Sequence, residues 1–121
     1  MKLPGPDHPI TIAQSEKLIV VSFHGEEIAR TARALELKEA TYPTVYYIPR
    51  DDVRMDLMAP SERQTYCPYK GDATYRSLSD TPGDGLDAVW SYEQPYPAME
   101  QIREHLAFYT DQVEIVTSPL I

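Results

Sequence analysis

The 121-residue sequence has one cysteine, one tryptophan, two phenylalanines and five glycines. One cysteine closes no internal disulfide and supplies no zinc ribbon or finger, which fits a reducing compartment. No apolar run nears the roughly 18 residues of a membrane span. The N-terminal MKLPGPDHPITIAQ has no apolar signal-peptide core, so the expectation is a cytoplasmic protein without membrane contact. Internal repeats and low-complexity segments are absent. Basic residues are scarce at one end: residues 77–121 hold one basic and eight acidic side chains. Residues 1–49 hold five basic and six acidic ones, and residues 50–76 five of each. An acidic surface repels phosphate backbones, which excludes a general nucleic-acid binder. If the protein binds a small anion, the neutral middle with Arg50, Arg54, Arg63, Lys70 and Arg76 is the place for it; local ion pairing on a solvated face is the plainer reading.

What the sequence has instead is proline, eleven residues, and tyrosine, nine. Many prolines and few glycines mean fixed turns rather than flexible loops. Residues 1–15 read as an N-terminal arm and residues 16–121 as one β-rich domain. EKLIVVSF is a strand closed by a His24-Gly25 turn. EEIARTARALELKEA is ambiguous: its composition favours helix, whereas Leu35 and Leu37 alternate with Glu36 and Lys38 as in a strand. VYYI reads as a strand between prolines, and RDDVRMDLM as the start of a short helix capped by Asp51 or Asp52. SERQTYCPYKGDATYRSLS reads as two strands about a Pro68–Gly71 turn. AVWSYEQP and VEIVT are further strands. PAMEQIREHLAFY carries the stripe Met99, Ile102 and Leu106 behind Pro97, which predicts the main helix over 97–105. The domain is therefore mainly β with one short helix.

The segments YYIPRDDV, TYCPYKGDATY and AVWSYEQP, with FHGEEIARTARALELKE and LAFYTDQVEI, resemble the bacterial family described as domain of unknown function 427. The resemblance spans about residues 16–116, and its most specific part is the Cys-Pro-Tyr-Lys-Gly run followed by an aromatic strand. It implies a tent-like pair of antiparallel sheets and turns 26–39 toward strand, against its propensity. The family is sometimes labelled nucleotidyltransferase-like. This sequence carries neither a Gly-Ser followed by Asp-x-Asp ligands nor a His-x-Gly-His, and Gly83-Asp84-Gly85 is only a fragment of a phosphate loop.

Two functions follow from the residues. One is a small-molecule-binding domain, for a ligand that can be anionic. Its pocket would be lined by Tyr47, Tyr75, Trp90 and Tyr92, with Lys70 and Arg50 as anchors, because tyrosine pairs an apolar ring with a polar tip. The other is an enzyme in that pocket, with Cys67 as nucleophile or Lys70 as acid, base or electrostatic group. A third option is an interaction module using the acidic C-terminal third. Each residue also has a plain reading: Cys67 as a small buried hydrophobe, Lys70 paired with Asp72 or Asp52, Arg50 paired with a carboxylate, and the aromatics as a shallow core. His8, His24 and His105 lack metal spacing, so neither a metal nor another cofactor is expected.

Overall fold

A computed structural model describes residues 1–120. Its strands are β1 (Ile10–Gln14), β2 (Lys17–Phe23), β3 (Glu26–Thr31), β4 (Leu35–Glu39), β5 (Val45–Tyr47), β6 (Ala59–Cys67), β7 (Gly71–Ser77), β8 (Val89–Ser91), β9 (Ala107–Phe108) and β10 (Glu114–Pro119). They form three antiparallel sheets ordered β1-β4-β5, β10-β2-β3 and β6-β7-β8-β9, and none closes into a barrel. The protein is mainly β.

Segment 26–39 is extended, as β3 and β4, despite its helix-forming composition. The extended form wins because β3 pairs with β2, and β4 with β1 and β5, while Ile28 (2% exposed) and Leu37 (1%) are each buried in an apolar layer. The β2–β3 hairpin turns at His24 (φ 50°) and Gly25 (φ 81°), the left-handed pair that a tight hairpin requires.

The helix expected over 97–105 is shorter and tighter. Pro97–Ile102 forms a 3-10 segment kinked at Met99 (φ −113°, ψ 17°). Its stripe is still used, because Met99, Ile102 and Leu106 are all buried. Leu106, which lies beyond the segment, exchanges backbone hydrogen bonds with Ile48 at 2.8 and 2.9 Å. RDDVRMDLM is likewise two 3-10 turns, Arg50–Asp52 and Met55–Leu57, and neither has a side-chain cap. Asp52 instead accepts from Thr31 Oγ1 at 2.7 Å and from Arg33 at 3.1 Å.

Two apolar layers hold the sheets together. One joins β2 and β3 to Ile48, Val53, Ala88, Val89, Leu106 and Phe108. The other lies between β1-β4-β5 and β6-β7-β8-β9 and is rich in tyrosine: Leu37, Tyr47, Ala73, Tyr75, Tyr92, Met99, Ile102 and Ala107, with Cys67, Trp90 and Tyr109 against it. Gly85 (φ +111°) marks a close approach near the first layer. A Cβ there would lie 2.6 Å from Ser79 Oγ and 2.9 Å from both Ser79 N and Phe23 Cζ. Gly85→Ala should therefore cost about 1–3 kcal/mol in backbone strain, with the clash added. Gly83→Ala, with φ +77° and nothing within 4 Å of its Cβ, should cost less; thermal melts of the two variants compare them.

Candidate functional site

The CPYKG motif lies where β6 hands over to β7. Tyr66 pairs with Asp72 and Cys67 with Gly71 across the hairpin, and Gly71 takes φ +106°, which a side chain resists. The Lys70 carbonyl accepts from Tyr96 N at 3.0 Å. These contacts turn the lysine inward, and it is only 5% exposed. Its ammonium meets Glu39 Oε1 at 2.5 Å and lies 3.9 Å from Cys67 Sγ. Its ion-pair partner is thus Glu39, not Asp72 or Asp52.

Glu39 is there because of strand alternation. Leu35, Leu37 and Glu39 occupy one face of β4, so a carboxylate follows two leucines toward the core. It is met by two partners: Lys70 on Oε1, and His8 Nε2, 2.7 Å from Oε2. Burial pushes the Glu39 carboxyl up, but hydrogen bonds from Lys70 and His8 outweigh burial and leave it below its ordinary 4.5. The His8 ring is stacked on Tyr69 at 4.2 Å between centroids. Lys2 N donates to the Pro68 carbonyl at 2.7 Å. The first nine residues therefore cover the outer side of the turn.

From this end the tyrosine-rich layer runs to Trp90. Tyr47, 2% exposed, accepts from the Trp90 indole N–H at 3.3 Å. Burial raises the Tyr47 phenol well above its ordinary 10.0; the indole donor offsets part of this, while Glu39, Cys67 and Tyr75 add to it. Tyr92 is raised likewise, by burial first and then by Tyr47, Cys67, Tyr75 and Glu39. Both phenols stay protonated and can donate. Tyr109 lies 4.7 Å from Trp90 between ring centroids, and burial together with a hydrogen bond to Tyr75 pushes it up to about 12.

Beyond Trp90 the layer opens into a groove of about 510 Å³ whose walls include Tyr42, Val45, Tyr46, Trp90, Phe108 and Tyr109. A larger depression of about 670 Å³ runs along residues 56–62 and 77–80, but no aromatic ring lines it.

The structure thus brings Tyr47, Tyr75, Trp90 and Tyr92 into one layer, with Lys70 and Cys67 at its far end. Arg50 is engaged elsewhere: it donates to Glu93 at 2.5 Å and to the Glu104 carbonyl at 3.0 Å. Sequence reasoning missed Glu39, His8 and Tyr109. Only Glu39 carried a readable signal, the acid in step with two leucines. Among the described residues, no group of three or more His, Cys, Asp or Glu side chains is arranged to hold a metal ion.

The fold and the site define a small, mainly β protein with a tyrosine-rich layer and a buried Lys–Glu pair. The chain belongs to the family described as Domain of unknown function (DUF427), whose profile matches residues 11–119. No curated protein matches it.

Proposed function

We propose that this protein binds a small molecule carrying a planar aromatic ring, which enters the groove beside Trp90. The observation that carries this reading is the groove itself: about 510 Å³, with Tyr42, Tyr46, Trp90, Phe108 and Tyr109 among its walls. Aromatic walls stack a flat ring, and phenol and indole edges hydrogen-bond its substituents. A cation at this end is Lys17, whose Nζ is 3.3 Å from the Tyr46 hydroxyl and 5.8 Å from the ring centroid. It suits an anionic substituent on the ligand, since Lys70 and Arg50 already hold carboxylates.

Trp90 is the single tryptophan, so its fluorescence reports on the groove without labelling. Titration with benzoate, nicotinamide and adenine should give saturable quenching by at least one of them. Tyr109→Ala should weaken that binding about 2- to 12-fold, the worth of one aromatic pair. Quenching that stays linear for all three compounds, or is indifferent to Tyr109→Ala, counts against the groove as a binding site.

A further inference from the structure

Tyr109 walls two depressions. Besides the groove, it lines one of about 370 Å³ together with Arg63, Leu86, Asp87, Asp111 and Gln112. Its ring stands 4.7 Å from Trp90 between centroids, and nearly parallel to Tyr75 at 6.5 Å. The Arg63 guanidinium lies over that Tyr75 ring, 4.7 Å from the centroid, an arrangement in which ring and cation attract. Arg30, Arg33, Arg50, Arg54, Arg103 and Lys70 each pair with a carboxylate; Arg63 pairs with none among the described residues. Its planar fork of N–H groups is therefore free for a carboxylate. Of the two acids in the same depression, Asp87 accepts from the Ser61 hydroxyl, whereas Asp111 has no side-chain partner among the described residues. An unpaired guanidinium and an unpaired carboxylate thus wall one depression without meeting. The Gly83-Asp84-Gly85 loop borders it but is no phosphate cradle, because its amides are engaged. Asp84 N and Leu86 N donate to the Thr81 carbonyl at 3.0 and 3.2 Å, and Gly85 N donates to Gln112 Oε1 at 2.9 Å.

We propose that this depression takes the head group of a free α-amino acid, with its carboxylate on Arg63 and its ammonium on Asp111, and that an aromatic side chain runs past Tyr109 into the groove. The aromatic part rests on the groove's binding a flat ring. An amino acid carries its two charges on one carbon, which suits walls of opposite sign in a single depression. A lone anion would face both Asp87 and Asp111, and a lone amine would leave the guanidinium unanswered. A residue inside a peptide chain has lost both charges, so the site selects the free amino acid. Tyr109 joins the two parts, since it walls both depressions. Arg63 and Asp111 are exposed, so each ion pair contributes modestly and weakens as salt is raised.

The test uses three compounds that share one ring and differ in the head group: L-phenylalanine, 3-phenylpropionate without the ammonium, and phenethylamine without the carboxylate. Each is titrated at low salt and followed by Trp90 fluorescence. Phenylalanine should bind about 1.5- to 5-fold more tightly than either analogue, the worth of one exposed ion pair. Arg63→Gln should bring phenylalanine down to the affinity of phenethylamine and leave phenethylamine itself unchanged. Asp111→Asn should bring it down to that of 3-phenylpropionate, with 3-phenylpropionate unchanged. Circular dichroism checks that both surface variants fold. If the three compounds saturate with equal affinity, or phenylalanine ignores both variants, the head-group site is overturned while the groove stands. A loss in Lys17→Gln and none in Arg63→Gln would put the carboxylate elsewhere and overturn it as well. If no compound saturates, the groove does not bind the ring, and this assignment falls with it.

Discussion

Replacing Lys70 with methionine is expected to destabilise the fold by about 3–5 kcal/mol, the cost of leaving a buried charge without its partner. The lysine side chain is 6% exposed and the Glu39 side chain 15%. Removing the ammonium leaves the carboxylate with His8 alone, at the end of a strand whose inward face is otherwise leucine. A lysine serving only ligands would tolerate this near-isosteric change to within about 1 kcal/mol. Urea titration of Lys70→Met measures the loss. The double variant Lys70→Met/Glu39→Leu removes both charges, and it should recover most of the stability, since a buried pair can be exchanged for apolar groups at little cost. Equal damage in the single and double variants would mean that the pair is not what holds this end together.

The same pair sets a pH dependence. The Glu39 carboxyl titrates below its ordinary 4.5 in the folded protein. Its contribution is therefore complete above 4.5, and it is lost as pH falls through the lower folded value. Glu39→Gln should flatten the acid limb of the stability curve, which acid titration followed by circular dichroism would record.

Trp90→Ala should cost about 3 kcal/mol, the lower end for removing a large core aromatic, because the indole is half-buried and one side faces the groove. Its loss has a second component. The indole N–H donates to Tyr47, so Tyr47→Phe alone should cost about 1 kcal/mol. In the Trp90→Ala background the Tyr47→Phe change should cost nothing more, because its partner has gone. Guanidinium unfolding of the two single variants and the double one closes this cycle. Additive losses would show that the two rings act independently.

Much of this protein was legible in its sequence. β2 was announced by LIVVSF and ended by His-Gly, and the β6–β7 hairpin by Pro68 and Gly71. These features are local: period-two alternation and turn chemistry act within a few residues. Residues 26–39 were harder, since composition favoured helix and alternation favoured strand. Packing decides such a case, because the extended form buries Ile28 in one apolar layer and Leu37 in the other. Residues 97–105 held in part: the apolar stripe and a short helical segment are there, but the segment is a 3-10 one that ends at Ile102, because Met99 leaves helical geometry.

What no local pattern could supply was the identity of the partners. Lys70 and Glu39 are 31 residues apart, and so are Glu39 and His8. Their meeting depends on how β4 lies against the β6–β7 turn and where the N-terminal residues cross it. Asp72 was nearer in sequence, but it sits on β7 opposite Tyr66, on the exposed face of the strand. Alternation put Glu39 on the buried face, and there the cost of an unpaired charge selected the cation that could reach it. The pairing of charges was thus settled by which faces the sheets enclose, whereas strands and turns followed from the order of the residues.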